Sequence, residues 1–274
     1  MKRDRHVMEV LGMSRVVVED GVVVDVSEPR VDFCPLFYKY RGIEKLTRES
    51  VRQNVEFRIR DFGIFTERRE MRMKDFLSFG ISELMSMCVT KDILDCSVCV
   101  CDGSGTAVVD DPELIQGIGG RISGVVETSP LQSVIQAIGR DRVLDPENAR
   151  IDQVAGARMA WDMGYRKIGV TVVRGNDAAL IRKELGEHVV LFAVHTSGVT
   201  EEDARVLFEN CDIATACASK HMWELGRKLG AEQIGTKVPV FAITELGRRI
   251  CDIRLKQINK EARSGEDDPA RPLI

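Results

Sequence analysis

Three cysteines lie close together in the first half of the chain, at Cys96, Cys99 and Cys101. Thiolates at this C-x-x-C-x-C spacing can ligate zinc or an iron–sulfur cluster, each of which needs about four ligands. If residues 93–101 form a strand, its side chains alternate between two faces, so Cys99 and Cys101 share a face and Cys96 lies on the other. A metal site would then need a bend in the strand and a fourth ligand, which the sequence does not identify.

Two alternatives to a metal site remain open for these thiols. Free cysteine is among the most buried residue types, so a structural role in the core is the more frequent outcome. With no apolar signal-peptide core near the N-terminus, we expect free thiols in a reducing compartment and not a disulfide framework. The third alternative is a reactive thiol at Cys101, which directly precedes Asp102 and a glycine-rich turn.

Two glycine-rich stretches follow the cysteines, DGSGT at 102–106 and QGIGGRISG at 116–124. The backbone amides of Gly117, Gly119, Gly120 and Gly124, with the fixed charge of Arg121, predict a cradle for a phosphate or a carboxylate. The spacing is not that of a dinucleotide fingerprint, and no Gly-Lys-Ser/Thr of a P-loop follows. The alternative is a close crossing of two segments at glycine.

The second half of the chain alternates apolar strands with capped helices. The apolar runs span residues 168–173, 188–194, 212–218 and 238–243. Such continuous runs are typical of parallel strands that are covered on both faces. The predicted helix starts lie at Asp145-Pro146, Asn176-Asp177, Thr200, Ser219 and Thr244. This alternation predicts an α/β fold with a doubly wound, mostly parallel sheet. We assign a Rossmann-like domain to residues 145–262 and a flexible tail to residues 263–274.

The first 144 residues are expected to form a mixed α+β region. The pair Asp20-Gly21 between two valine-rich runs predicts a type I′ hairpin. Residues 34–40 are predicted as loop and strand, and helices are predicted over 48–56, 74–89 and 130–138. The domain boundary is placed near Leu144, although strands of the first half could join the same sheet.

Polar side chains follow the predicted strands of the second half. Ligands of doubly wound sheets bind beyond the carboxyl ends of the strands, where helix N-termini favour anions. The ligand-binding candidates there are Asn176, Asp177, His195, Ser197, Ser219 and Lys220. We predict a small carboxylate or phosphate at this edge, close to the glycine-rich stretches if both halves share one cleft. The candidates for catalysis are Cys101, Asp102 and His195, with Asp177 as an alternative acid partner.

The composition excludes several classes of protein. With 44% hydrophobic and 30% charged residues, the chain is neither disordered nor fibrous. The 39 Lys and Arg against 43 Asp and Glu argue against a nucleic-acid partner. The apolar runs are far shorter than the ~20 residues of a membrane helix. We therefore expect a cytoplasmic protein without a membrane partner.

Seven motifs together resemble a known family. They are FCPLF at 33–37, NVEFRIRDFG at 54–63, DFLSFGISELM at 75–85, CDGSGT at 101–106, QGIGGRISGVVETSP at 116–130, IDQVAGARMAWDMGY at 151–165 and VHTSGVTEEDA at 194–204. The chain resembles methanogenesis marker protein 8 over nearly its whole length, except the last dozen residues. The resemblance implies a cytoplasmic archaeal protein tied to methane-producing metabolism. It supplies no catalytic residues.

The sequence leaves several functions to be weighed. The first is an accessory protein that binds a small anionic ligand or cofactor and assists the assembly or maturation of a methanogenic enzyme, which would be its protein partner. The second is an enzyme that uses Cys101 or His195 in an α/β cleft. The third is an iron–sulfur or zinc protein built on Cys96, Cys99 and Cys101. A purely structural subunit and an oligomer both remain open.

Overall fold

The computed structural model describes residues 4–10, 12–74, 79–263 and 265–274, which form a four-stranded and a seven-stranded sheet. The strands are β1 (Arg5–Val10), β2 (Ser14–Glu19), β3 (Val22–Val26), β4 (Cys96–Cys101), β5 (Gly105–Val109), β6 (Val125–Glu127), β7 (Ile168–Val172), β8 (Val189–Ala193), β9 (Ile213–Thr215), β10 (Glu232–Ile234) and β11 (Val240–Ala242). The helices are α1 (Pro35–Arg41), α2 (Arg48–Phe62), α3 (Ile81–Thr90), α4 (Pro112–Gly119), α5 (Gln132–Ile138), α6 (Gln153–Asp162), α7 (Gly175–Leu185), α8 (Glu201–Asn210), α9 (Lys220–Lys228) and α10 (Glu245–Gln257).

The large sheet has the strand order β10-β11-β9-β8-β7-β4-β5. Strands β4, β7, β8 and β9 run parallel to one another, which confirms the predicted α/β fold class. Strands β4 and β5 come from the first half of the chain, so that half contributes to the same sheet. An apolar cluster lies on each face of this sheet, and a third cluster packs α2 against the small sheet.

Strand β11 is antiparallel to β9, whereas the apolar run at 238–243 was expected to be parallel. The reason is the short connection before it. Parallel neighbours need a crossover of a dozen or more residues, and only residues 235–239 separate β10 from β11. Helix α9 makes the crossover to the edge strand β10, and β11 returns as the second strand of a hairpin.

The small sheet is antiparallel with the order β3-β2-β1-β6. Asp20 and Gly21 both have positive φ, 48° and 75°, as a type I′ turn requires, so the predicted hairpin is confirmed. Residues 34–40, predicted as loop and strand, lie almost wholly in helix α1 (Pro35–Arg41) instead. Pro35 occupies its first turn and Gly42 ends it in the left-handed conformation, two local signals that outweigh the aromatic content of the segment.

Several predicted helix starts are confirmed, and others lie at different residues in the structure. Thr200, Ser219 and Thr244 each accept a backbone N–H as N-caps. Asp145 instead caps a short turn, and α6 begins after Asp152. Ala149 lies between them with a left-handed φ of 51°, which no continuous helix allows.

The helix predicted over 74–89 begins at Ile81, and residues 75–78 of that prediction lie outside the described residues. The segment predicted as a flexible tail makes defined contacts at its end. Ile274 donates its backbone N–H to Ala218 and accepts one from Lys220. No helix in the described part of the chain is both long enough and apolar enough to cross a bilayer.

Candidate functional site

A cleft of about 770 Å³ opens at the carboxyl ends of β4, β7 and β8. This is the edge at which ligands bind in doubly wound sheets. Its walls include the first turns of α3, α6 and α7, the segment 122–126 that leads into β6, and one residue of β1. The cleft therefore lies where the two sheets meet, and both halves of the chain line it.

His195 follows β8 and lies on one wall of this cleft, with 16% of its side chain exposed. Its Nε2 atom is 3.2 Å from Oε2 of Glu9, which β1 of the small sheet supplies. This hydrogen bond, more than any other influence, lowers the pKa of Glu9. The pair joins the two sheets across the cleft. Sequence reasoning missed Glu9, because no local pattern connects two residues 186 positions apart.

Two residues at this wall of the cleft, His195 and Gly124, have left-handed backbone conformations. His195 itself has a left-handed φ of 52°, an uncommon conformation for a residue other than glycine. Gly124 faces it with a φ of 69°, and a Cβ atom there would lie 2.6 Å from Cε1 of the imidazole and 2.2 Å from the Glu9 carbonyl oxygen. Only glycine leaves room for the ring at this position.

Arg174 and Asp177 line the cleft from the start of α7. Arg174 is the N-cap residue, and in the part of the chain that the structure describes its guanidinium makes no hydrogen bond or ion pair within 4.0 Å. Burial raises the pKa of Asp177, and the nearby charge of Arg174 acts in the opposite direction. The cleft thus holds a cation with unused donors beside a carboxyl group whose charged form is disfavoured by burial.

Gln153, the first residue of α6, lines the cleft and forms hydrogen bonds to two strands of the large sheet. Its Nε2 donates to the backbone oxygen of Thr171 at 2.7 Å, and its Oε1 accepts from the hydroxyl of Thr106 at 2.8 Å. This one side chain ties β5 to β7. Asp152, beside it, caps α6 through Ala155 and pairs with Arg150 at 3.2 Å.

The glycine-rich stretch at 116–124 does not form an open cradle of amides. Asp111 caps helix α4 and Pro112 occupies its first turn, so Gly117 and Gly119 lie within that helix. Gly117 packs so closely on Met71 that a Cβ would lie 1.8 Å from its carbonyl oxygen. Of the predicted cradle residues in this stretch, Gly119 and Gly124 line the cleft, whereas Gly117, Gly120 and Arg121 do not.

Arg121 is held away from the cleft, although the sequence placed it in the anion site. Its guanidinium stacks over the ring of Phe62 at 4.3 Å and pairs with Glu70. The side chain is only 8% exposed. Gly120, just before it, ends α4 and gives its N–H to Gln116. These groups support the packing alternative for most of the stretch.

The predicted residues at the sheet edge divide into two groups. His195 and Asp177 line the cleft, whereas Asn176, Ser197, Ser219 and Lys220 do not. Ser197 accepts the N–H of Ala218, and Ser219 caps α9. Lys220 is on the same edge, since β8 and β9 are parallel, but its side chain points to solvent beside Glu224 and its backbone binds the C-terminal Ile274.

The loop at 102–106 is buried and lies apart from the cleft lining. Asp102 forms an ion pair with Arg69 in which neither side chain has any exposure. Cys101 has no exposed surface, and burial raises the pKa of its thiol. Both predicted catalytic residues of this loop are therefore closed to a ligand in the cleft, and His195 is the candidate that the structure leaves accessible.

The cysteine motif does not assemble a metal-binding set. Cys99 and Cys101 share one apolar cluster, and Cys96 packs in the cluster on the opposite face, as strand alternation predicts. Among the described residues, no three His, Cys, Asp or Glu side chains are arranged to hold a metal ion. Burial raises the pKa of the Cys99 thiol to about 12, which disfavours the thiolate that a metal needs. The donors do not fit a zinc or iron–sulfur site.

The fold and the cleft define an α/β protein with its candidate site at the carboxyl edge of parallel strands. The chain belongs to a family described as an uncharacterized protein conserved in archaea (DUF2099), whose model matches residues 6–256. It is similar to an uncharacterized protein of Methanocaldococcus jannaschii, with 40% identity over 282 residues that cover 99% of this chain and 100% of the relative. No solved structure matches the chain.

Proposed function

We propose that this protein binds a small anionic ligand, a carboxylate or a phosphate, beside Arg174 in the cleft. The observation that carries the proposal is Arg174, an exposed residue of the cleft lining whose guanidinium has no hydrogen-bond partner among the described residues. An arginine fork matches the oxygens of carboxylate and phosphate. The first turns of α3, α6 and α7 face the same space, and their dipoles favour negative charge.

The three acidic side chains that line the cleft do not cancel its preference for an anionic ligand. Glu9 is engaged by His195, and Asp152 caps α6 and pairs with Arg150. Asp177 is the competitor for Arg174, and burial raises its pKa, which disfavours its charged form. A ligand that carries one anionic group can therefore bind to Arg174 in place of Asp177.

In the cell, we propose, the protein is an accessory factor of methanogenesis. It binds its ligand or cofactor while it assists the assembly or maturation of a methane-forming enzyme. The motif resemblance supports this role, and membership of the archaeal family agrees with it. An archaeal deletion strain complemented with Arg174→Ala should show the same loss of methanogenic enzyme activity as the uncomplemented strain. Full recovery with this variant would contradict a role for the cleft.

The binding proposal is tested by calorimetry with inorganic phosphate, sulfate, pyruvate and dihydroxyacetone phosphate. We expect Arg174→Ala to weaken binding of whichever anions bind by tenfold or more, about 1.4 kcal/mol. Lys220→Ala is the matched control, because Lys220 is a cation at the same sheet edge but outside the cleft. No binding of any of these compounds at millimolar concentration, or an equal loss in both variants, would refute the proposal.

A second candidate function is an enzyme. The observation that favours it is the hydrogen bond between His195 and Glu9 on the cleft wall. The two functions are compatible, because an enzyme of this kind needs both a binding cleft and an acid–base pair.

A further inference from the structure

We infer that His195 and Glu9 form an acid–base pair, in which Nδ1 of His195 removes a proton from the ligand and Glu9 positions the ring. The inference rests on the proposed function, because the anionic ligand must first occupy the cleft at Arg174. It assigns His195 as the catalytic base and Glu9, which the ligand need not touch, as a positioning residue.

The hydrogen bond between the two residues decides which nitrogen is basic. An ionised carboxylate can only accept, so Glu9 fixes the proton of the neutral imidazole on Nε2. The lone pair is then on Nδ1, which makes no hydrogen bond within the described residues. Arg15 and Arg30 also act on Glu9 and favour its charged form, which lowers its pKa further. When Nδ1 takes up a proton, the Glu9 carboxylate stabilises the imidazolium, as the acid of a catalytic triad does.

Two features of the backbone support a functional role for this ring. His195 is held at a positive φ of 52°, and uncommon backbone conformations of this kind cluster at active sites. Gly124 leaves the space that Cε1 and Nδ1 occupy, with a virtual Cβ only 2.6 Å and 3.0 Å from these two atoms. The ring is therefore clamped between Glu9 and a residue that has no side chain.

The positions of the base and the cation favour a small substrate. Strands β7 and β8 pair Val172 with Ala193, so Arg174 and His195 occupy equivalent positions just past the ends of neighbouring parallel strands. Both residues line the same cleft. A small substrate held by its carboxylate or phosphate at Arg174 can therefore bring a C–H bond next to that group within reach of His195.

The chemistry that fits is proton abstraction next to a carbonyl group. The C–H bond of the substrate breaks, its proton goes to Nδ1, and its electron pair moves onto the carbonyl oxygen to give an enolate. The same proton, or one exchanged with solvent, returns to carbon and restores the neutral imidazole. No oxidant, reductant or further reactant is needed. Small 2-oxo acids and keto phosphates carry both required groups.

The tautomer is measured first, by ¹⁵N NMR of the imidazole at pH 8. We expect the proton of His195 on Nε2 in the wild type, and a mixture of the two tautomers in Glu9→Gln, because the carboxylate that holds the proton on Nε2 is gone. Glu9→Asp should restore the single tautomer at least in part. A proton on Nδ1 in the wild type, or an unchanged tautomer in Glu9→Gln, would overturn the inference.

Catalysis is measured by exchange of C–H protons with D₂O, using pyruvate, 2-oxobutyrate and dihydroxyacetone phosphate as probes. We expect the wild type to exceed an equal concentration of free imidazole at least a hundredfold on one of them, the lower end of acid–base catalysis. His195→Gln should abolish the excess, and Glu9→Gln should reduce it with little change in binding. A probe that binds in calorimetry but does not exchange overturns the catalytic inference alone. Absence of binding overturns the proposed function as well.

Discussion

Asp102 and Arg69 form an ion pair with no exposure of either side chain, and Nε of the arginine lies 3.0 Å from the carboxylate. Asp102 also accepts the backbone N–H of Phe65, and Arg69 donates to the backbone oxygens of Glu70 and Gly117. The pair fastens the segment after α2 to the end of β4. An aspartate that the sequence made a catalytic candidate is thus a structural anchor.

Removing one member of this pair should destabilise the protein strongly. We expect Arg69→Met to lower the free energy of unfolding by about 3–5 kcal/mol, because it leaves a buried carboxylate without its partner. Arg60→Met is the control, since Arg60 forms an exposed pair with Asp61 and should cost no more than about 1 kcal/mol. Urea unfolding measures both. The double variant Arg69→Met/Asp102→Asn removes the charge but keeps an oxygen that can accept from Phe65, so it should be more stable than Arg69→Met; a less stable double variant would contradict an unpaired charge as the cause.

Arg121 should matter for stability and not for ligand binding. We expect Arg121→Ala to lower the free energy of unfolding by about 1–2 kcal/mol, because it loses its stacking on Phe62 and its packed stem. Arg140→Ala removes an arginine from an exposed pair with Glu147 and should change stability by at most ~1 kcal/mol. Thermal unfolding and sulfate calorimetry separate the effects. Weaker sulfate binding in Arg121→Ala at full stability would restore the anion cradle that the sequence predicted.

Gly124 should tolerate no side chain. Gly124→Ala places a Cβ against the Glu9 carbonyl and the His195 ring, in addition to the strain of a positive φ. Gly42→Ala has nearly the same φ, 65°, with nothing within 4 Å of the added atom. We expect Gly124→Ala to lose at least ~2 kcal/mol more than Gly42→Ala in urea unfolding, as overpacking does. Equal losses would mean that only the backbone conformation matters.

The charge of Asp177 should make anion binding depend on pH. Burial raises the pKa of Asp177, while Arg174 opposes this and Asp152 and Asp203 add to it. As the pH falls through this raised pKa, the carboxyl becomes neutral and stops competing for Arg174. Sulfate, whose charge is constant between pH 4 and 8, should therefore bind Asp177→Asn more tightly than the wild type at pH 8, and the difference should vanish at low pH.

Calorimetry at several pH values measures this ratio of affinities. The other ionisable groups of the cleft are present in both proteins, so the ratio isolates the contribution of Asp177. A ratio that is constant from pH 4 to 8 would show that Asp177 does not face the bound anion.

The thiols should be unreactive in the folded protein. All eight cysteines are free, and only Cys34 and Cys217 are not fully buried. Burial raises the pKa of Cys217 to about 12 and also that of Cys34, so both should react slowly with a disulfide reagent, and the other six only on unfolding. Thiol titration with peptide mapping measures the order in which the cysteines react. Stoichiometric iron or zinc in anaerobically purified protein, lost in Cys99→Ser, would contradict the structural role of the cysteine motif.

The sequence by itself determined those features that depend on neighbours in the chain. The turn at Asp20-Gly21 and the caps at Thr200 and Thr244 follow from local hydrogen bonds and backbone preferences. The alternation of apolar runs with helices was enough to predict the α/β class and the edge where the cleft opens. The alternating faces of the cysteine strand were predictable for the same reason, since side-chain direction along a strand has a fixed period.

Only the tertiary structure decided which side chains meet in the cleft. Glu9 reaches His195 from another sheet, and Arg69 reaches Asp102 from the segment after α2, contacts that no sequence period encodes. Because of these partners, His195 is held in place on the cleft wall, and Asp102 is a buried structural residue. The physical reason is that charge pairing and burial depend on groups brought close in space, whereas propensity and spacing describe only groups close along the chain.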